Sequence, residues 1–171
     1  VEVGAGNGLN FAHYPDTVTE VVAVEPEPHL RRLAEQAAAT ASVKVSVVDG
    51  TADQLPLDDE SCQAAVCSLV LCSVPDQQRA LREIRRVLAP GGDLRFYEHV
   101  VANAPRLARI QRILDRTIWP HVGAGCHCSR DTFAAITAAG FTITTSRRFA
   151  FKPFPGAAAT APHILGVAAR D

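Results

Sequence analysis

The chain has no methionine, one tryptophan and two tyrosines, and aromatic residues fill only 6% of its 171 positions. It has no apolar run near the roughly 20 residues needed to cross a bilayer, and no signal peptide opens it. Nor is there an excess of charge: the formal net charge is −1, and basic residues cluster no further than short groups such as Arg31-Arg32 and Arg85-Arg86. Nucleic-acid binding needs a concentrated basic face, so that partner is not expected. Five cysteines, an odd number, give no disulfide framework. Cys62, Cys67 and Cys72 lie inside apolar segments, where cysteine behaves as a small hydrophobe. A reduced, cytoplasmic compartment is the expectation.

The composition that remains, 47% hydrophobic and 20% charged, is that of a globular domain with one buried core. A start at Val1, already strand-like, reads as one domain over residues 1–171 that is truncated at its N-terminus. The pattern inside is strand and helix in alternation. Val1–Val3 is the tail of a strand, and Val21–Val24 and Val43–Val48 are short apolar, β-branched runs of the kind buried in parallel sheets. A further strand lies within Cys62–Leu71 and another over Asp93–Val100. Between them, Pro28–Ala39 and Asp76–Leu88 carry apolar residues at helical spacing, the second stopped by Ala89-Pro90-Gly91-Gly92. A helix follows over Pro105–Ile118, then one from an N-cap at Ser129 to Ala139. Phe141–Phe151 and His163–Ala169 have a Pro/Gly/Ala-rich loop and no helix between them, which predicts antiparallel neighbours. This order predicts a doubly wound α/β sheet with right-handed crossovers.

Gly4, Gly6 and Gly8 follow the first strand, before a helical-looking segment. Glycine there lets the chain turn sharply and a ligand approach the backbone, and the N–H groups of loop and helix favour an anion. Glu25 ends the next strand, about 20 residues on, where a carboxylate can bridge the two hydroxyls of a ribose. Dinucleotide binders favour Gly-x-Gly-x-x-Gly, which would place the third glycine at Leu9. Here it falls at Gly8.

Glu2-x-Gly4-x-Gly6-x-Gly8 resembles the first motif of class I S-adenosylmethionine (SAM)-dependent methyltransferases. Gly50-Thr51-Ala52-Asp53-Gln54-Leu55-Pro56-Leu57 is similar to their segment beside adenine, with Thr51 where an aspartate is usual. Ser68–Val74 and Leu88-Ala89-Pro90-Gly91-Gly92 match further motifs, so the resemblance covers roughly residues 1–100. Within the superfamily the chain looks like methyltransferase type 11, UbiE-like proteins. It is closest to the group that includes thiol S-methyltransferases, through Cys67–Val74, Tyr97-Glu98-His99-Val100, Gly125-Cys126, Ser129-Arg130-Asp131 and Pro162-His163-Ile164-Leu165-Gly166. Animal members of that group carry an N-terminal membrane-anchoring helix, and no such segment stands in this chain.

The resemblance implies a Rossmann-like, three-layer α/β/α sandwich with antiparallel C-terminal strands and S-adenosyl-L-methionine as cofactor. The cofactor-binding residues it implies are Glu2, Gly4, Ala5, Gly6, Asn7, Gly8, Glu25, Pro26, Gly50, Thr51, Ala52, Ser68, Leu69 and Val70. The implied reaction is methyl transfer to a small-molecule acceptor, a thiol or a hydrophobic metabolite. An NAD(P)-binding oxidoreductase and a non-catalytic fragment of this fold are the alternatives. A thiol with pKa near 8.5 needs only modest help to react as thiolate. His99, at a strand's C-terminal end, is the leading candidate for the base; Glu98, His121 and His127 rank behind it. Cys126-His127-Cys128 offers two thiols but no second pair, so no metal is assigned. Trp119, Phe96, Tyr97, Phe133 and Phe141 are candidates for an apolar pocket, and Arg106–Trp119 for its cover.

Overall fold

The computed structural model describes residues 1–152 and 158–171. Strands β1 (Glu2–Val3), β2 (Glu20–Val24), β3 (Lys44–Val48), β4 (Cys62–Ser68) and β5 (Leu88–His99) run parallel, while β6 (Phe141–Ala150) and β7 (Pro162–Arg170) close the sheet antiparallel. The order is β3-β2-β1-β4-β5-β7-β6. Its direction reverses between β1 and β4, and in an open α/β sheet ligands bind beyond the strand C-termini at that reversal. The α/β fold with antiparallel C-terminal strands is as the sequence predicts.

Ala23 and Val24, adjacent on β2, point to opposite faces and begin two separate cores. On one face, α1 (Pro28–Ala38) packs Ala34 against Ala23 and Phe11. On the other, α2 (Gln77–Val87) inserts Ala80, Leu81, Ile84 and Val87, all fully buried, beside Ile136 of α5 (Thr132–Ala138). Each large aliphatic side chain buried this way contributes roughly 2 kcal/mol. The layers are therefore helix, sheet and helix.

Four local expectations are corrected. No helix follows the glycine loop: residues Phe11–His13 make one 3-10 turn, and Gly8 itself is buried against Phe11 and Ala37. The anion-favouring helix start expected there does not exist. Ser129 is not the cap of α5; Asp131 is, accepting from the Ala134 N–H at 3.1 Å, while Ser129 turns to Asp115. The helix expected over Pro105–Ile118 ends at Asp115 as α3 (Pro105–Asp115), and a separate short helix, α4 (Trp119–Val122), follows it. Finally β5 begins at Leu88, with Ala89–Gly92 as an irregularity between the Cys62–Leu88 and Ala64–Asp93 pairs. The loop expected before β7 lies partly outside the described residues. No helix among the described residues is long and apolar enough to cross a membrane.

Candidate active site

Beyond the C-terminal ends of β1 to β4 lies a cavity of about 610 Å³, within the range of small-molecule sites. Ten of the residues singled out from the sequence line it: Gly4, Gly6, Glu25, Pro26, Gly50, Thr51, Ala52, Ser68, Leu69 and Val70. They come from four loops that are distant in sequence and meet at the reversal point. Glu2, Ala5, Asn7 and Gly8 do not line it. Glu2 is buried beneath the loop, where it accepts from Asn10 Nδ2 and the Tyr14 hydroxyl, each at 2.8 Å. Burial pushes its carboxyl above the ordinary value, and those two bonds pull it partly back.

The glycines serve two different ends. Gly4 has φ +66°, and a Cβ there would lie 2.6 Å from Val70 Cγ2, so the loops after β1 and β4 touch only because it is glycine. Gly6 has φ +58° and nothing within 4 Å of a Cβ built on it. Its open side is part of the cavity lining, a hollow that any side chain would fill. Glu25 closes this end: Oε2 accepts from the Gly6 N–H at 2.8 Å and Oε1 from the Glu27 N–H at 2.9 Å. A carboxylate has about four lone-pair sites, so both oxygens retain capacity for a ligand's hydroxyls.

The far wall also contains Asp53, which the sequence reading passed over for Thr51. A hydrogen bond from Thr51 holds the Asp53 carboxyl below its ordinary value. Asp53 follows Thr51 by two residues, which was the available signal. Glu83 fixes this wall to α2 by accepting from the Leu55 N–H at 3.1 Å and pairing with Arg86 at 2.9 Å. Ser73 and Val74, the end of the Ser68–Val74 motif, also line the cavity, and Leu30, Pro75, Asp76 and Ala124, which the motifs did not mark as site residues, complete the lining.

The loop after β4 is strained and clamped. Leu69 has φ +59°, unusual for a branched residue. What holds it is Glu98, fully buried in the middle of the sheet. Its Oε1 accepts from the N–H groups of Val70 (3.0 Å) and Leu71 (2.9 Å), and Oε2 from that of Cys72 (3.1 Å). Arg130 donates to the carbonyls of Leu71 (2.8 Å) and Val74 (2.7 Å) from the other side. Glu98 is therefore an anchor of the loop, not a solvent-reachable base.

His99 does not line the cavity. Its Nδ1 lies 3.2 Å from Cys126 Sγ and 3.8 Å from Cys72 Sγ, and its ring packs on that of His163 with centroids 4.3 Å apart. The interaction between the Cys72 and Cys126 thiols, with burial, pushes Cys72 up to about 12, and the same interaction draws Cys126 below its ordinary value against burial. The corner adjoins the cavity through Ser73 and Ala124. Cys128 is not part of it; its thiol meets Asp115 Oδ1 at 3.2 Å. His121 is exposed, and the His127 backbone N–H donates to the Cys72 carbonyl at 2.8 Å.

None of the aromatic candidates lines the cavity. Phe96 and Phe141 are core, Phe133 is exposed, and Trp119 sits against Gly123. Phe96 and Tyr97 border a second hollow, about 650 Å³, over the sheet near β7. It shares Ser68 with the first but holds none of the glycine-loop residues. The chemistry-bearing loops belong to the smaller one. Of residues 106–124, only Ala124 reaches that cavity's wall. Gln111, buried in α3, ties the helix down through Ala102, Val100, Cys128 and Ala159.

A glycine loop, an acidic strand end and a cleft at the sheet's reversal point define a nucleotide-cofactor enzyme of the α/β class. The family model described as a methyltransferase domain matches residues 1–96. Thiol S-methyltransferase TMT1B of Rattus norvegicus is 35% identical over 176 residues, 99% of this chain and 70% of the rat protein. Thiol S-methyltransferase TMT1A of Homo sapiens is 36% identical over 146 residues, 83% of this chain and 59% of the human protein. Among solved structures, a SAM-dependent methyltransferase of Methanosarcina mazei superposes with TM-score 0.75 at 22% identity, covering 99% of this chain and 90% of that one. The [4+2]-cyclase SpnF reaches the same TM-score and identity over 99% of this chain and 73% of its own, so the fold alone does not name the reaction. The chain belongs to the methyltransferase-domain family and is a class I SAM-dependent methyltransferase. The oxidoreductase alternative is not favoured.

Proposed function

We propose that this chain methylates a small thiol, with S-adenosyl-L-methionine held in the 610 Å³ cavity. The observation that carries the cofactor assignment is that the open side of Gly6 and the Glu25 carboxylate, joined by a 2.8 Å hydrogen bond, line one hollow of fitting size. Glu25 would take the ribose hydroxyls, Gly4 and Gly6 the methionine part, and Thr51, Ala52 and Asp53 the adenine edge. The cofactor supplies an activated methyl on a sulfonium. The chain's own residues then have to seat a nucleophile in line with it and keep water out, a proximity effect.

The thiol acceptor is supported by the similarity to thiol S-methyltransferases over nearly the whole chain. His99, at the end of β5 and beside the cavity, is assigned to the acceptor's proton. Thiol methylation by the purified protein with labelled cofactor tests the reading directly. Transfer to simple alkyl thiols is expected, and failure with thiols alongside transfer to amines or hydroxyls would overturn it. In His99→Asn, turnover at saturating cofactor should fall about tenfold or more, less than the usual ~10²- to 10⁴-fold for a catalytic base because a thiol needs only modest help. A loss under about threefold removes His99 from the chemistry.

A further inference from the structure

Cys72 and Cys126 are 54 positions apart, and His99 lies on a third element, yet their ligand atoms stand within 4.8 Å of one another. We propose that Cys72 Sγ, His99 Nδ1 and Cys126 Sγ bind a thiophilic divalent cation, zinc by donor chemistry.

The geometry is close to a coordination sphere already. With Zn–S near 2.3 Å and Zn–N near 2.0 Å, tetrahedral ligands sit about 3.6 Å (S to N) and about 3.8 Å (S to S) apart. The two sulfur-to-nitrogen distances are 3.2 and 3.8 Å. The sulfur-to-sulfur separation is within 4.8 Å, so that edge closes by no more than about 1 Å to reach tetrahedral spacing. Two thiols and an imidazole suit zinc, whereas magnesium and calcium take oxygen ligands.

The backbone around the three is fixed from several directions. Both main-chain groups of Cys72 are held, its N–H by Glu98 and its carbonyl by the His127 N–H. The Cys126 N–H donates to the Gly123 carbonyl at 2.9 Å. The His163 ring packs against that of His99 and limits its rotation. Ligands pre-placed by such supporting contacts are what a metal site requires.

Two cysteines and one histidine leave the fourth tetrahedral position for an outside ligand, the mark of a catalytic rather than a closed structural site. Both cysteines are buried, and His99 is half-exposed. Ser73 and Ala124, close along the chain to the two cysteines, line the cofactor cavity. The fourth ligand assigned by this placement is the thiol acceptor, a step that rests on the thiol reading above. Bound there, the thiol gives its proton to solvent. Its sulfur then forms the new bond to the methyl carbon as the sulfonium–methyl bond breaks, leaving a thioether and the neutral cofactor sulfide. An ion in this corner makes His99 a ligand through Nδ1 instead of the proton acceptor.

The test is metal binding measured apart from activity. Protein purified under reduction and stripped with a chelator is titrated with zinc, followed by elemental analysis, and with cobalt(II), followed by absorption. Stoichiometric metal and a thiolate-to-cobalt charge-transfer band are expected. Cys126→Ser should weaken binding roughly 100-fold or more, since even outer-shell changes cost 10- to 100-fold. Cys128→Ala should leave it unchanged, and S-adenosylhomocysteine binding by both variants checks that they fold. Sub-stoichiometric metal, affinity unaltered in Cys126→Ser, or a Cys72–Cys126 disulfide with no metal uptake after reduction would overturn the site. Thiol methylation without bound metal removes the ion and leaves the thiol reading standing. Stoichiometric metal without thiol methylation keeps the ion and removes the thiol as its ligand.

Discussion

The cofactor cavity and the cysteine–histidine corner border each other but are built on different plans. The cavity is assembled from consecutive strand ends: Gly4 and Gly6 after β1, Glu25 after β2, Gly50 after β3, Ser68 to Val70 after β4. Each lies within three residues of its strand's last residue, so the sheet order places it. The corner gathers Cys72, His99 and Cys126 from a clamped loop, a strand end and the irregular segment before α5. Its geometry depends on long-range hydrogen bonds to buried groups. The motif-bearing loops therefore sit on the rigid parallel sheet, and the corner proposed to meet the acceptor sits where the chain departs from it.

The contrast breaks most sharply at Glu98, which serves both regions. Glutamine in its place has one acceptor oxygen for three N–H donors, so at least one faces an amide NH2. Glu98→Gln should cost about 3 kcal/mol, read as a Tm lowered by roughly 6–12 °C. Unchanged stability would mean the loop after β4 is held by other means.

A smaller effect separates the two glycines. Gly4→Ala puts a methyl against Val70 at 2.6 Å and should cost about 2 kcal/mol of stability. Gly6→Ala meets nothing, so apart from about 1 kcal/mol for its left-handed backbone its effect should fall on cofactor affinity. Equal effects of the two on unfolding and on ligand binding would dissolve the distinction.

These two regions also mark how far the amino-acid sequence could be read. Gly4, Gly6, Glu25 and Gly50 were legible because strand, loop and acidic end recur at fixed spacing, and that spacing is what the sheet needs. Glu2 and Gly8 belong to the same motif, yet they act beneath the loop, on Asn10 and Tyr14 and on Phe11 and Ala37. A spacing pattern does not separate residues that hold a loop from those that face its ligand. The missing helix after Gly8 was illegible for a similar reason, since a 3-10 turn suffices to bury Phe11. Cys126 was read with its neighbour Cys128, whereas the fold pairs it with residues 27 and 54 positions away. Only the antiparallel insertion of β7 between β5 and β6 brings His163 onto His99.

The smallest predicted change concerns the wall that Glu83 fixes to α2. Hydrogen bonds from Arg86 hold the Glu83 carboxyl below its ordinary value of 4.5. A carboxyl lowered on folding stabilises the protein fully above the unfolded value, and that contribution is lost as pH falls through the folded one. Glu83→Gln should therefore cost about 1–2 kcal/mol at neutral pH. The gap between wild type and variant should narrow below pH 4.5 in denaturant melts taken across the acid range. A gap constant with pH would assign the cost to packing alone.

The most direct test of the cofactor site is a calorimetric titration of S-adenosylhomocysteine into the wild type and into Glu25→Ala. Stoichiometric binding to the wild type is expected, weakened about 10- to 100-fold in the variant, the range for losing hydrogen bonds to a charged group. Equal affinity in the two proteins, or binding of NAD in preference to S-adenosylhomocysteine, would contradict the account.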